Sequence, residues 1–223
     1  MKLTAILLAG ITSFAGAVAA GPPQDAARLF FSRSFPGSKP AYMEIRLTRD
    51  GKTQYREAPD EADPILFKLS AEETETVFTL ADKLDHFKRN LESGLKVARM
   101  GDKTFGWESG AEKHQTTFNY SLDTDAQALH DWFERMCESA YYYIELERAA
   151  KYDKLGVNAA ILRLEAAWDR KRLVGLDQYL PLLDRVARNE SYLNMARERA
   201  QKLAEAFRAA AAAPKPEGET KAQ

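Results

Sequence analysis

The chain has 223 residues, 45% hydrophobic and 29% charged, a balance ordinary for a folded domain and too apolar for a disordered one. Its 32 basic and 33 acidic residues nearly cancel and the sequence pI is ≈ 6.4, so no nucleic-acid partner is expected, because polyanion binders carry a basic stripe or a high isoelectric point. Cys137 is the only cysteine, which excludes an internal disulfide.

Residues 1–20 carry the three zones of a secretory leader. Lys2 supplies the positive start, 3–18 the apolar run, and Ala17-Val18-Ala19-Ala20 the small-residue cleavage site. Gly10, Thr12, Ser13 and Gly16 interrupt the run, which falls short of the ~20 apolar residues of a membrane span. The expectation is an exported protein, periplasmic or extracellular, with no stable membrane insertion once the leader is cleaved. The alanine-rich style points to a bacterial source.

Residues 21–40, punctuated by Pro22, Pro23, Pro36, Gly37 and Pro40, read as a lead-in segment in which the apolar stretch 26–31 forms a turn or two of helix. From residue 41 the period becomes two: Met43, Ile45 and Leu47 face one way, and Asp50-Gly51 then turns the chain into a second strand at 52–57. A third strand is expected at 65–69. Ser70 and Glu73 have the spacing of a capping box, opening a helix that runs to about 93 with Val77, Leu80, Leu84, Phe87 and Leu91 on one face. Strands at 95–100, 104–108 and 115–121 complete a sheet of about six strands. Short links favour antiparallel pairing, since parallel neighbours need a long crossover.

After residue 121 the period is helical almost to the end. Thr124 and Gln127 read as a second capping box, opening a helix over 124–154 whose buried face is Leu129, Trp132, Phe133, Met136, Ala140 and Ile144. Helices follow at 158–171, at 177–188 with Pro181 in its first turn, and at 191–210 with Met195, Ala200, Leu203 and Phe207 inward. The division expected is a leader at 1–20, the lead-in at 21–40, a sheet-plus-helix domain at 41–155, helices packed on it at 156–210, and a disordered tail at 211–223. The class is α+β, an antiparallel sheet with one packing helix followed by an all-helical half.

Chemistry-bearing patterns are sparse. His86, His114 and His130 form no zinc-ligand spacing, and no phosphate loop or dinucleotide fingerprint occurs, so neither cofactor nor metal is expected. The acidic loop Glu57, Asp60, Glu61 and Asp63 lacks the alternation of a calcium loop and reads as a solvated turn. Cys137, among Phe133, Met136 and Ala140, reads as a buried small hydrophobe.

Aromatic residues are the candidates for binding. Phe105 and Trp107 share one strand face, as do Phe118 and Tyr120 on the next strand, a set that belongs either to the core or to an uncovered ligand platform. Tyr141, Tyr142 and Tyr143 sweep about 200° of a helix, so they cannot all face one core. The leading functional expectation is a non-catalytic binding or interaction protein for an unknown protein or small-molecule ligand. Two further readings stand beside it: a hydrolase assembled from the histidines and scattered carboxylates, and a structural protein whose C-terminal helices pair into an oligomer.

Overall fold

The computed structural model describes residues 27–212. The expected leader at 1–20 and residues 213–223 of the expected tail lie outside the described residues; Ala211 and Ala212 close the last helix. The elements are β1 (Arg28–Ser34), β2 (Tyr42–Thr48), β3 (Lys52–Arg56), β4 (Ile65–Lys68), α1 (Ala71–Lys83), β5 (Asp102–Ser109), β6 (Glu112–Phe118), α2 (Thr124–Tyr152), α3 (Val157–Asp169), α4 (Leu180–Arg188) and α5 (Asn194–Ala212). The strands form one antiparallel sheet in the order β4-β3-β2-β1-β5-β6. The architecture is α+β, a six-stranded sheet with one packing helix, then helices.

The local reasons are legible. Gly51 closes the β2–β3 turn at a φ of 82°, where an added Cβ would meet the Leu69 carbonyl oxygen at 2.7 Å, so only glycine fits. Ser70 and Glu73 form the reciprocal capping box that starts α1. The α1 connection then carries the chain across the sheet from the β4 edge back to β1's free side, where β5 pairs.

Both α1 and α2 cover one face of the sheet. Leu29 and Phe31 of β1, Ile45 and Leu47 of β2, and Phe105 and Trp107 of β5 meet Val77, Phe78, Leu129, Phe133 and Met136 there, all buried. Phe31 and Phe133 stack with centroids 4.9 Å apart. A second core forms among Leu146, Val157, Ile161, Leu164, Tyr179, Leu183, Val186, Leu203 and Phe207. With 29 residues, α2 is about 43 Å long at 1.5 Å per residue, and it serves both cores: Ala126 to Ala140 face the sheet, while Leu146 faces the other helices. Between them, buried Ser139 ties the halves. Its hydroxyl accepts from Val174 N at 2.9 Å, and its carbonyl accepts from the Tyr179 hydroxyl at 2.6 Å.

Several sequence expectations are corrected. Residues 21–26 of the expected lead-in lie outside the described residues, and residues 27–31 are not helical. They enter β1, a central strand paired on both sides, because Leu29 and Phe31 alternate with Arg28, Phe30 and Ser32 across the sheet. The segment 95–100 is not a strand: it has strand-like alternation but no ladder partner. The two errors offset each other, leaving six strands.

The first helix ends ten residues before 93. Asp85, His86 and Phe87 follow it with φ of 49°, 52° and 66°, a left-handed turn costing roughly 1–2 kcal/mol per non-glycine residue. Burial of Phe87 beside Phe105, at 5.3 Å between rings, and stacking of His86 on Trp107 at 3.9 Å offset that cost.

The cap of α2 is Asp123 rather than Thr124: its carboxylate accepts from Asp125 N and Ala126 N. Met195 points outward and Ala196 takes the inward position, because the buried stripe runs through Ala196, Ala200, Leu203, Ala204 and Phe207 at the three-and-four spacing of a helix face, which Met195 does not share. Among the described residues, no helix is long and apolar enough to cross a membrane.

Candidate functional site

Because α1 and α2 lie on one side, no described helix covers the other face of the sheet, and the strand register orders its side chains into rows. One row runs Leu66, Gln54, Arg46, Phe30, Gly106, Gln115 from β4 to β6. The row beside it, toward the Asp50-Gly51 turn, contains Lys68, Lys52, Thr48, Arg28, Glu108 and Lys113. On the other side lie Arg56, Glu44, Ser32, Thr104 and Thr117.

The groove in this face has a volume of ≈ 600 Å³ and is lined by the β1, β2, β3, β5 and β6 members of the first two rows. Its floor exists because Gly106 has no side chain: a Cβ there would lie 3.2–3.3 Å from Phe30. Phe30 occupies that space instead and offers the groove an aromatic surface, with the Arg46 guanidinium 5.6 Å from its centroid.

Glu44 fixes the arrangement behind it. This carboxylate is buried and accepts from Tyr42 Oη at 2.6 Å, Arg46 Nε at 2.6 Å and Arg56 Nη1 at 3.3 Å, so the charge is paired as burial requires. Partial burial and the Glu44 carboxylate together push the Tyr42 hydroxyl well above its ordinary range.

The rim is basic. Lys52 pairs with Asp50 at 2.6 Å and Lys113 with Glu108 at 3.2 Å, while no ion pair is formed by Arg28 among the described residues. The groove therefore combines an aromatic floor, amide side chains from Gln54 and Gln115, and an excess of positive charge on one side, although the whole chain is nearly neutral.

A smaller cleft of ≈ 360 Å³ opens on the helix side, between the loop before β2 and α2, lined by Lys39, Met43, Tyr55, Cys137, Tyr141 and Tyr142 among others. Its carboxylates are already engaged: Glu134 with Arg33 at 3.3 Å and Glu138 with Arg172 at 2.8 Å.

The seven sequence candidates are distributed among four environments. Phe105, Trp107 and Phe118 are buried beneath the helices, with Phe105 edge-on to Phe118 at 5.0 Å, and they present no platform to solvent. Tyr120 is exposed beyond the end of β6. Tyr141 and Tyr142 meet edge-on at 5.5 Å in the cleft, whereas Tyr143 turns toward Tyr179, 6.3 Å between rings, in the second core.

The histidines do not converge. His86 Nε2 donates to Asp82 Oδ1 at 2.9 Å, and His114 sits at the β6 edge of the groove. His130 lies near Phe31 at 5.8 Å; burial first, then the Lys103 and Arg33 charges, lower its pKa to about 4, so it is neutral at pH 7. Burial pushes the Cys137 thiol well above its usual range. In the acidic loop, the Glu61 carboxylate accepts from Glu57 N at 2.7 Å and acts as a turn cap. No group of three or more His, Cys, Asp or Glu able to hold a metal occurs among the described residues.

Sequence reasoning missed the groove because its aromatic residue, Phe30, was assigned to a helical turn. The available signal was the alternation of Arg28, Phe30, Ser32 and Ser34 against Leu29 and Phe31. Compared with models of known protein families and with curated proteins, the chain matches neither a family model nor a curated relative, so the geometry alone carries the functional argument.

Proposed function

We propose that this chain is a non-catalytic binding protein whose ligand lies on the open sheet face, over Phe30 and Gly106. The observation that carries this reading is the Phe30 ring lying over the side-chain-free Gly106 at the floor of the groove, flanked by Arg28, Lys52 and Lys113. A groove of this size suits a small organic molecule, and such sites combine an apolar floor with a few polar groups that orient the ligand. The chemistry favours an anionic compound with a planar apolar part: the ring stacks on Phe30, and the anion faces Arg28, the rim cation without an ion pair among the described residues. The setting we propose is outside the cytoplasm, supported by the leader pattern of residues 1–20.

The experiment is a thermal-shift screen of aromatic carboxylates and aryl phosphates, followed by calorimetry on any compound that stabilises the protein. A ligand at 100 times its Kd adds about 2.7 kcal/mol of stability. Gly106→Val should abolish the shift by filling the floor, and Arg28→Glu should weaken binding at least tenfold. Compounds that bind equally well to Gly106→Val, or a screen in which nothing binds at millimolar concentration, would remove the groove as the site.

A further inference from the structure

The two edges of the sheet are finished differently. The β4 edge is four residues long, and the segment 175–179 packs against it so closely that a Cβ on Gly175 would meet the Lys68 carbonyl oxygen at 2.9 Å. The β6 edge is seven residues long and pairs with β5 one residue to one throughout. It contains no proline, and no described strand pairs with its outer side. Short length, bulges, proline and covering segments are the usual guards of a sheet edge, and among the described residues β6 has none of them.

The hairpin determines which main-chain groups face outward. Gly110, at φ 55°, and Ala111 form a two-residue turn, so the pair that closes it, Ser109 and Glu112, is a hydrogen-bonded one. Alternation then turns the main chain of residues 112, 114, 116 and 118 toward β5 and that of Lys113, Gln115 and Thr117 away from it. Asn119 continues the outward row, but its N–H is taken by the Glu92 carboxylate at 2.6 Å. The open row is therefore 113, 115 and 117, with exposed side chains and main-chain groups that bond to nothing beyond the hairpin among the described residues.

A row of free main-chain donors and acceptors takes an added strand. We propose that the added strand is β6 of a second copy of this chain, antiparallel about a two-fold axis at Gln115. This register uses the whole open row: Gln115 faces the partner's Gln115, and Lys113 faces the partner's Thr117 on both sides of the axis. A slip of two residues sets Lys113 against Asn119, whose N–H is taken, or Thr117 against Ala111 in the turn. A slip of one sets open groups against groups already bonded to β5.

Charge agrees with the same register. Lys113 is the one charged residue in the row; it pairs with Glu108 of its own copy at 3.2 Å and meets a neutral threonine across the axis, so no like charges oppose one another. The contact is isologous and closes at two copies. Gln115 also ends the Phe30 and Gly106 row and lines the groove, so the partner's β6 would wall the groove on that side. The dimer itself does not depend on a ligand there.

The test is sedimentation equilibrium of the full chain. An edge contact lies at the small end of specific interfaces, so the dimer should appear at roughly 0.1 mM and above. Gln115→Pro removes the outward N–H at the axis and none of those that bond β5, a position at which an edge strand tolerates proline; it should weaken association about tenfold with little change in Tm. Thr117→Lys places like charges opposite each other and should weaken the dimer about fivefold, while Thr117→Glu faces the partner's Lys113 and should strengthen it by a similar factor. That opposite response reads the register even if the proline variant fails to fold. A monomer at every concentration, assembly beyond two copies, a dimer that survives Gln115→Pro in a folded chain, or one that responds alike to both charges at 117 would overturn the proposal.

Discussion

Replacing Ser139 by alanine should cost more stability than the loss of one hydroxyl suggests, because that hydroxyl is the acceptor for a buried backbone donor on another element. Ser139 is fully buried in the middle of α2. Its Oγ donates to the Arg135 carbonyl at 2.8 Å and accepts from Val174 N at 2.9 Å, and Val174 is itself fully buried in the sheet-side core. In Ser139→Ala the Arg135 carbonyl keeps its helical partner, but the Val174 N–H is left unpaired, a penalty of about 1–3 kcal/mol. The better helix propensity of alanine returns up to about 0.5 kcal/mol, leaving a net loss of roughly 0.5–3 kcal/mol. For a chain of this size that lowers Tm by about 1–12 °C. Tyr179→Phe is the control: it also removes a bond to Ser139, but the carbonyl it frees keeps its place in the α2 ladder, so the cost should be nearer 1 kcal/mol. Urea denaturation followed by circular dichroism measures both. If Ser139→Ala loses less than about 0.5 kcal/mol, another group satisfies Val174 and the strut between the two cores is not there.

Stability should also fall on mild acidification. His130 has a folded pKa of about 4 against about 6.5 unfolded, so between those values the unfolded chain binds the extra proton and stability rises with pH; the contribution is fully present above 6.5 and lost toward 4. The loss amounts to at most about 3 kcal/mol, and a His130→Gln variant melted across pH 4 to 7 should show a flatter profile than the parent. Cys137 should react with a thiol reagent at least tenfold more slowly in the native protein than in urea, since its burial disfavours the thiolate; comparable rates would mean the sheet-side core opens readily at α2. Mass spectrometry of the exported material should find an N-terminus between residues 19 and 22, and an intact leader there would refute export by this route.

What the sequence determined alone is what depends on neighbours along the chain. The alternation of Met43, Ile45 and Leu47, the Asp50-Gly51 turn, the Ser70 and Glu73 box and the 3.6-residue stripes of the helical half are local patterns with local causes, and each appears in the structure close to its expected place. Pairing partners are different. Residues 28–34 and 95–100 both carry strand-like alternation, and only the first has neighbours on both sides; no feature internal to either segment distinguishes them. The left-handed turn at 85–87 has neither glycine nor proline to announce it, because its cost is met by contacts with β5 that are distant in sequence. The groove follows the same logic. Phe30, Gly106, Arg28, Lys52 and Lys113 come from β1, β3, β5 and β6, and only the register of the finished sheet sets them side by side, since periodicity assigns a residue to a face but not the strand that lies next to it.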